Sequence, residues 1–325
     1  MSDQVRLASK TMLRAWFHER PQPPVASENY PEFLLWRLCE SLCSERALGV
    51  RKWVDSLRVL LDRSKDPLGE FLGMETIAND LGCQVLELVG LIAEDAIRTN
   101  QGDLFFNSMQ SVADATRLVV FRFFAAWTAL NRGRLEQCVE ECEKVDEPFA
   151  AVFTIHGQAL LELGRCNDAL EVLDIATKLS PQEPLSWFQF AKALHVAGNL
   201  SAAFEALRQC RRILPGSQEI VFYMGIVTLD LPQGEIELVL EAIGYIVREI
   251  PNYGENSAVA FTLLRLACRC RDRQKAAEIV DDIARAELST QSDMIRSLPG
   301  VLRDFHNVGW MDLASRLLSS VAPAS

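Results

Sequence analysis

The stretches FTIHGQALLELGRCNDALEVLDIATKLSP (residues 153–181) and WFQFAKALHVAGNLSAAFEALRQCRRILP (residues 187–215) repeat one pattern at a spacing of 34 residues. Four residue types recur at matching positions: Gly164 and Gly198, Ala169 and Ala203, Leu173 and Leu207, Pro181 and Pro215. A fixed period of this length is typical of stacked helix–turn–helix units that bury their apolar faces against their neighbours. The sequence therefore predicts an all-α repeat protein, an architecture used mainly to bind other proteins.

Glycine and proline mark the helix ends in each repeat. Gly164 and Gly198 stand where a first helix would close, a place that favours the left-handed backbone that glycine adopts easily. Pro181 and Pro215 follow the second helix, which proline cannot continue. Small side chains allow neighbouring helices to approach closely. They recur at three pairs of positions: Gly157 and Ala191, Ala169 and Ala203, Ala176 and Cys210.

The pattern resembles that of the tetratricopeptide repeat family, with a large aromatic early in the first helix, glycine at its end, alanines in the second helix and proline after it. Residues 150–183 and 184–217 match this pattern closely. Looser matches cover residues 117–147, 218–253, 256–288 and 292–321, and Arg265 departs from the small residue expected at its position. The resemblance implies a right-handed superhelical solenoid of helix–turn–helix repeats.

We expect three segments along the chain. Residues 1–31 combine a short amphipathic helix with a proline-rich linker. Residues 32–116 have a helical pattern, either as degenerate repeats or as a separate helical region. Residues 117–325 form the repeat solenoid.

The resemblance also implies a binding surface, because the first helix of each tetratricopeptide unit lines the inner, concave face. The corresponding side chains are mostly apolar and aromatic, which suits the apolar face of a helix or an extended segment of a protein partner. They are Phe123, Trp127, Leu130, Thr154, Gln158, Leu161, Leu185, Phe188, Lys192, His195, Phe222, Ile226 and Leu229. Two alternatives remain open: several of these residues form core between repeats, or the N-terminal helix with Trp16 and Phe17 fills the groove. Lys192 alone does not form the clamp with which some family members bind chaperone C-termini.

Composition limits the class of partner and the location. The 325-residue chain has a net charge of −11, which disfavours general binding to nucleic acid because phosphates are repelled. The longest charge-free run, Pro148–Leu161, is too short to span a membrane, and residues 1–20 lack a secretory signal pattern. Nine cysteines, an odd number scattered through helical segments, indicate a reducing compartment. We therefore expect a cytoplasmic protein without membrane insertion.

The sequence gives little support for a metal site or for catalysis. The pairs Cys39/Cys43 and Cys138/Cys142 each place two thiols on one helix face, but no complete four-ligand zinc pattern accompanies them. There are four histidines, His18, His156, His195 and His306. His195 has no nucleophile nearby in the sequence, His156 lies in an apolar run, and no phosphate-binding loop occurs. We expect no cofactor and no enzymatic activity.

Two charged stretches lie in the C-terminal part. Residues 219–255 carry seven acids and one base, whereas Arg265–Lys275 carries five bases and one acid. The basic stretch is either a solvated helix end or a site for an acidic partner or phosphates, and self-association through opposite charges is possible. The leading hypothesis is a scaffold or adaptor that captures a partner segment. The alternatives are a cytoplasmic chaperone or regulator of a protein secretion system, and a Cys/His metal protein or enzyme.

Overall fold

A computed structural model of the chain describes residues 30–43, 85–286 and 292–321, together with positions 19, 22, 66, 69 and 73–76. Every regular element in these ranges is a helix. The predicted leading helix, with Trp16 and Phe17, and most of the predicted linker lie outside the described residues. The chain divides into two compact units, Met1–Arg165 and Cys166–Ser325.

The first unit contains six described α-helices: α1 (Tyr30–Cys43), α2 (Val85–Arg98), α3 (Gly102–Thr116), α4 (Val119–Asn131), α5 (Leu135–Glu143) and α6 (Ala150–Glu162). Neighbours in sequence pack together from α2 to α6, and α4 also packs on α2 and α6. The contact of α3 with α4 crosses residue 117, so the helices before this position join the same packing.

The second unit contains nine described α-helices and one short 3₁₀ turn. They are α7 (Cys166–Leu179), α8 (Pro184–Val196), α9 (Leu200–Ile213), α10 (Gln218–Asp230), α11 (Ile236–Glu249), the 3₁₀ turn Tyr253–Glu255, α12 (Ser257–Cys270), α13 (Arg273–Arg285), α14 (Ser292–Val308) and α15 (Met311–Val321). Each of the six predicted repeats therefore holds two helices, which confirms the predicted helix–turn–helix pattern. The contacts of α10 with α12 and of α12 with α14 link the first helices of successive repeats.

The turn that follows α8, the first helix of its repeat, depends on a left-handed residue. Gly198 has φ +79°, and its amide donates to the carbonyl oxygen of His195 at 2.9 Å. The next amide, that of Asn199, donates to Leu194 at 2.8 Å, so the last carbonyls of α8 are satisfied. The turn after α12 differs, since Arg271 takes φ +54° where the other repeat would use glycine.

Close helix packing explains the small residues of the pattern. Ala191 and Ala203 are fully buried between α8, α9 and their neighbours. Gly225 on α10 is more extreme, because a Cβ atom there would lie 2.7 Å from Cδ1 of Ile246 and 3.2 Å from Cγ2 of Thr262. The small residues thus set how closely the helices of the second unit approach.

The first unit contains a buried carboxylate, Glu141 on α5. It accepts hydrogen bonds from Gln110 of α3 at 2.7 Å, from Arg122 of α4 at 2.8 Å and from Lys144. Burial raises the pKa of Glu141, but the bonds from Lys144, Gln110 and Arg122 outweigh it, so the pKa is lowered overall. This carboxylate ties three consecutive helices together.

Candidate protein-binding face

Side chains of α8 and α10 form an aromatic face in the second unit, which we define as Phe188, Lys192, His195, Phe222, Tyr223 and Ile226. The rings of Phe188 and Tyr223 meet edge to face, with centroids 5.5 Å apart. Lys192 places its ammonium 5.8 Å from the centroid of the Phe188 ring, within the range of a cation–π contact. All six side chains are partly exposed, so the aromatic face combines anchored rings with contact to solvent.

His195 is held between two partners on α10. Its Nδ1 lies 3.0 Å from the hydroxyl of Tyr223, and its Nε2 lies 2.8 Å from Oδ2 of Asp230. Burial, reinforced by the negative charge of Asp230, raises the pKa of Tyr223, so the phenol keeps its proton at neutral pH. Both ring nitrogens of His195 are engaged by side chains of α10, which fixes the orientation of the imidazole.

The other predicted residues of the second unit differ in exposure. Leu185 is 48% exposed at the start of α8. Phe222 and Leu229 are half-buried and pack against the core formed by α11 to α15. Each of these two side chains therefore packs against the core and also keeps part of its area exposed, so core packing and exposure to a partner do not exclude each other here.

In the first unit, α4 and α6 carry the remaining predicted residues. Phe123 packs edge to face on Phe149, with centroids 6.1 Å apart, and Trp127 and Leu161 are half-buried. Gln158 donates to Glu162 at 3.1 Å. These four side chains remain accessible to a partner.

Two predicted surface residues of the first unit are core residues. Thr154 is 2% exposed, and its hydroxyl donates to the carbonyl oxygen of Ala150 at 2.9 Å. Leu130 is 8% exposed. The prediction that they lie on a binding surface is wrong, because both side chains turn into the helix packing.

Sequence reasoning missed Tyr223 and Asp230. The repeat period contains a signal for Asp230, since it lies 35 residues after His195, one period plus one residue. No comparable signal marks Tyr223, because 34 residues earlier stands Gln189, which is buried. The contact between them and His195 follows from the packing of α8 and α10.

The basic stretch Arg265–Lys275 is largely paired. Arg265 donates from Nε to Asp304 at 2.9 Å, Arg273 pairs with Asp312 at 2.6 Å, and Lys275 pairs with Glu278 at 3.2 Å. Most of the stretch is thus neutralised by acids of α13, α14 and α15.

Five of the seven described cysteines are buried, and Cys166 and Cys270 are half-buried. Cys138 and Cys142 are buried, and their mutual hydrogen bond, together with burial, raises the pKa of Cys142. Among the described side chains, no cluster of three or more His, Cys, Asp or Glu residues is arranged to hold a metal ion. Over the same residues, no helix has the length and apolar character needed to cross a membrane.

Comparison with solved structures defines the class of fold. The C-terminal part of a TPR repeat-containing protein from Cytophaga hutchinsonii aligns with 83% of this chain and 98% of its own, with a TM-score of 0.55 at 10% identity. The structure of the APC/C hetero-tetramer Cut9–Hcn1 aligns with 91% of this chain and 62% of its own, with a TM-score of 0.50 at 12% identity. The chain therefore has the all-α tetratricopeptide-repeat fold.

Sequence comparisons are less specific. The profile of the family described as Bacterial transcriptional activator domain matches residues 113–219. This range is about one third of the chain and includes residues 150–183 and 184–217, the two repeats that match the tetratricopeptide pattern most closely. A search of curated proteins found no match.

Proposed function

We propose that this protein is an interaction scaffold that binds a segment of a protein partner on the aromatic face. The observation that carries the proposal is the row of partly exposed rings on α8 and α10, with Lys192 and His195 among them. The tetratricopeptide-repeat fold supports a protein as partner, and no covalent step is required. Rigid aromatic side chains lose little conformational entropy on binding and are frequent hot spots.

The polar groups give the face its selectivity. Asp230 and Tyr223 hold the His195 imidazole, so this ring offers a fixed contact rather than a flexible one. Lys192 adds a positive charge beside Phe188. A partner segment with apolar residues flanked by a carboxylate would pack on the rings and pair with Lys192.

We place the protein in the cytoplasm, since all seven described cysteines are free thiols and a reducing compartment preserves them. The net charge of −11 favours a protein partner over nucleic acid. A second candidate function is a protein contact within transcriptional regulation, which the family match over residues 113–219 supports.

Site-specific photo-cross-linking in cells tests the proposal. A benzoylphenylalanine at position 185 stands beside the aromatic face, and the same residue at position 240 on α11 is the matched control. The natural side chains Leu185 and Leu240 are 48% and 51% exposed, so the two positions differ in place rather than in accessibility. We expect a discrete adduct from position 185 that Lys192→Glu weakens.

The adduct would also separate the possible roles. A partner that is insoluble without this protein indicates a chaperone, one that belongs to the transcription machinery favours the second candidate, and several simultaneous partners favour a scaffold. Equal adducts from positions 185 and 240, or none from 185, would refute the assignment of the aromatic face.

A further inference from the structure

The second unit contains a cavity of about 500 Å³ close to the C-terminal ends of α10, α12 and α14. Its walls combine apolar side chains, including Leu229, Ile236 and Val308, with three arginines: Arg265, Arg269 and Arg271. Among the described residues that line the cavity, Asp304 is the one with an acidic side chain. Three arginines against one aspartate give the lining a formal charge of +2, in a chain whose net charge is −11.

The three guanidinium groups are used differently. Arg269 donates to the carbonyl oxygens of Leu229, Leu231 and Pro232 at 2.5, 2.6 and 3.2 Å, so it fixes the turn after α10 and forms the frame of the cavity. Arg265 engages Asp304 through Nε, at 2.9 Å. Its two terminal nitrogens have no hydrogen-bond partner among the described residues.

Arg271 supplies the free charge of the cavity. It ends α12 in a left-handed conformation with φ +54°, at the position where most of the repeats have glycine. Its side chain is exposed and lines the cavity. Within the described part of the chain, its guanidinium pairs with no acid. A glycine would adopt this conformation with less strain than an arginine. The turn itself therefore does not explain why a charged residue stands here.

We infer that this cavity binds a carboxylate-bearing, internal segment of a protein partner. The inference rests on the proposed function and names the chemistry of the partner. Arg265 and Arg271 would hold the carboxylate, and the amides of Gln233 and Asn307, which also line the cavity, suit peptide backbone. The apolar walls would accept an adjacent aliphatic side chain, and Leu229 continues along α10 from the aromatic face.

The composition of the walls favours a carboxylate over a phosphate. Asp304 already engages Nε of Arg265, so this guanidinium offers its two terminal nitrogens, the pair that one carboxylate contacts with both oxygens. The apolar side chains of the lining, Leu229, Ile236 and Val308, would offer the remaining oxygens of a phosphate no hydrogen bond. A glutamate or aspartate next to leucine or isoleucine satisfies both kinds of wall.

The probe for the test is a fluorescein-labelled peptide, acetylated and amidated at its ends, with the core Leu-Glu-Glu-Leu. Its matched control has the core Leu-Gln-Gln-Leu. Fluorescence anisotropy with the full chain should show binding of the glutamate peptide, at least tenfold weaker binding of the glutamine peptide, and weakening by added salt. Inorganic phosphate is titrated as a competitor.

Two arginine variants locate the site. Arg271→Asn removes the charge but keeps a residue that tolerates the left-handed turn, and it should weaken peptide binding about fivefold. Arg212→Asn removes another exposed charge, on α9 and outside the cavity, and should leave the affinity unchanged. Circular dichroism confirms that both variants are folded.

Thiol footprinting gives a second readout on the unmodified chain. Cys270 lines the cavity and is half-buried, and Cys166 on α7 is half-buried but outside it. Burial raises the pKa of Cys270, so alkylation by N-ethylmaleimide is run at alkaline pH. The glutamate peptide should slow alkylation of Cys270 and not of Cys166, as measured by mass spectrometry.

Three results would overturn the inference: equal affinity for both peptides, equal loss in the Arg271 and Arg212 variants, or alkylation of Cys270 that the peptide does not change. Displacement of the peptide by phosphate at an equal concentration would assign the cavity to a small anion instead. The cross-linking at position 185 is independent of these measurements. Failure of the aromatic face and failure of the cavity are therefore distinguishable.

Discussion

Replacing Gly225 and Gly244 by alanine should change stability in opposite directions. Both glycines lie inside helices of the second unit, Gly225 in α10 and Gly244 in α11, and neither has a positive φ. Alanine in a helix interior is favoured over glycine by about 0.5–1 kcal/mol, because glycine loses more backbone freedom on folding. The surroundings of the added methyl group then decide the sign.

The two surroundings differ sharply. A Cβ at Gly244 meets no atom within 4 Å, so Gly244→Ala should stabilise the protein by about 0.5–1 kcal/mol. A Cβ at Gly225 would lie 2.7 Å from Cδ1 of Ile246 and 3.2 Å from Cγ2 of Thr262, and both side chains are buried. Overpacking of this kind costs about 1–3 kcal/mol, so Gly225→Ala should destabilise by about 1 kcal/mol net.

Urea denaturation followed by far-ultraviolet circular dichroism and tryptophan fluorescence measures the difference. Ile246→Val provides an internal check, because it removes the Cδ1 atom that the new methyl group meets. This change alone should cost about 1 kcal/mol, and markedly less when combined with Gly225→Ala. If Gly225→Ala were as stable as Gly244→Ala, or if the effects of Gly225→Ala and Ile246→Val simply added, the close approach of α10, α11 and α12 would not be the reason for glycine.

Three further predictions concern hydrogen bonds. Glu141→Gln should lower stability at pH 7 by roughly 2 kcal/mol in denaturant titrations, less than for a fully buried pair because Lys144 is half-exposed. Since the folded-state pKa of Glu141 is lowered from 4.5, its contribution is complete above that pH and is lost as the pH falls through the folded value. The variant should therefore lose less stability than the natural chain below pH 4.5, and parallel pH profiles would contradict this. Tyr223→Phe should cost about 1 kcal/mol and make amide exchange of α8 faster, since His195 loses one partner; unchanged exchange would show that the hydroxyl does not hold it. Arg269→Lys should speed amide exchange after α10, because an ammonium cannot reproduce the fork across three carbonyls, and protection equal to the natural chain would argue against that role.

The repeat pattern was readable from the sequence because its determinants are local. A helix end needs a residue that accepts a left-handed backbone, and Gly164 and Gly198 both do so, with φ +77° and +79°. Small residues such as Ala169 and Ala203 recur at the same spacing of 34 residues, because neighbouring helices approach closely there. Two of the looser repeats keep a left-handed glycine at this place, Gly133 and Gly309, whereas Arg271 meets the same need after α12.

The candidate face was only partly readable, because the period fixes the direction of a side chain and not the neighbours it meets. Thr154 and Phe188 occupy corresponding positions 34 residues apart, yet Thr154 is buried and Phe188 is partly exposed. Local packing decides this difference. Tyr223 was missed for the same reason, since its partner His195 is 28 residues away on another helix.

The basic stretch shows most clearly what a charge pattern leaves undecided. In the sequence, the five bases within Arg265–Lys275 favour a solvated helix end over a binding site, because charge runs are usually solvated faces. The structure gives them different roles, since Arg273 and Lys275 pair with nearby acids and Arg269 holds the turn after α10. Arg271 alone has neither role within the described residues, and it takes a strained conformation at the rim of a cavity. A charge without a structural partner, placed where glycine would cause less strain, is the member of the stretch that ligand binding explains best.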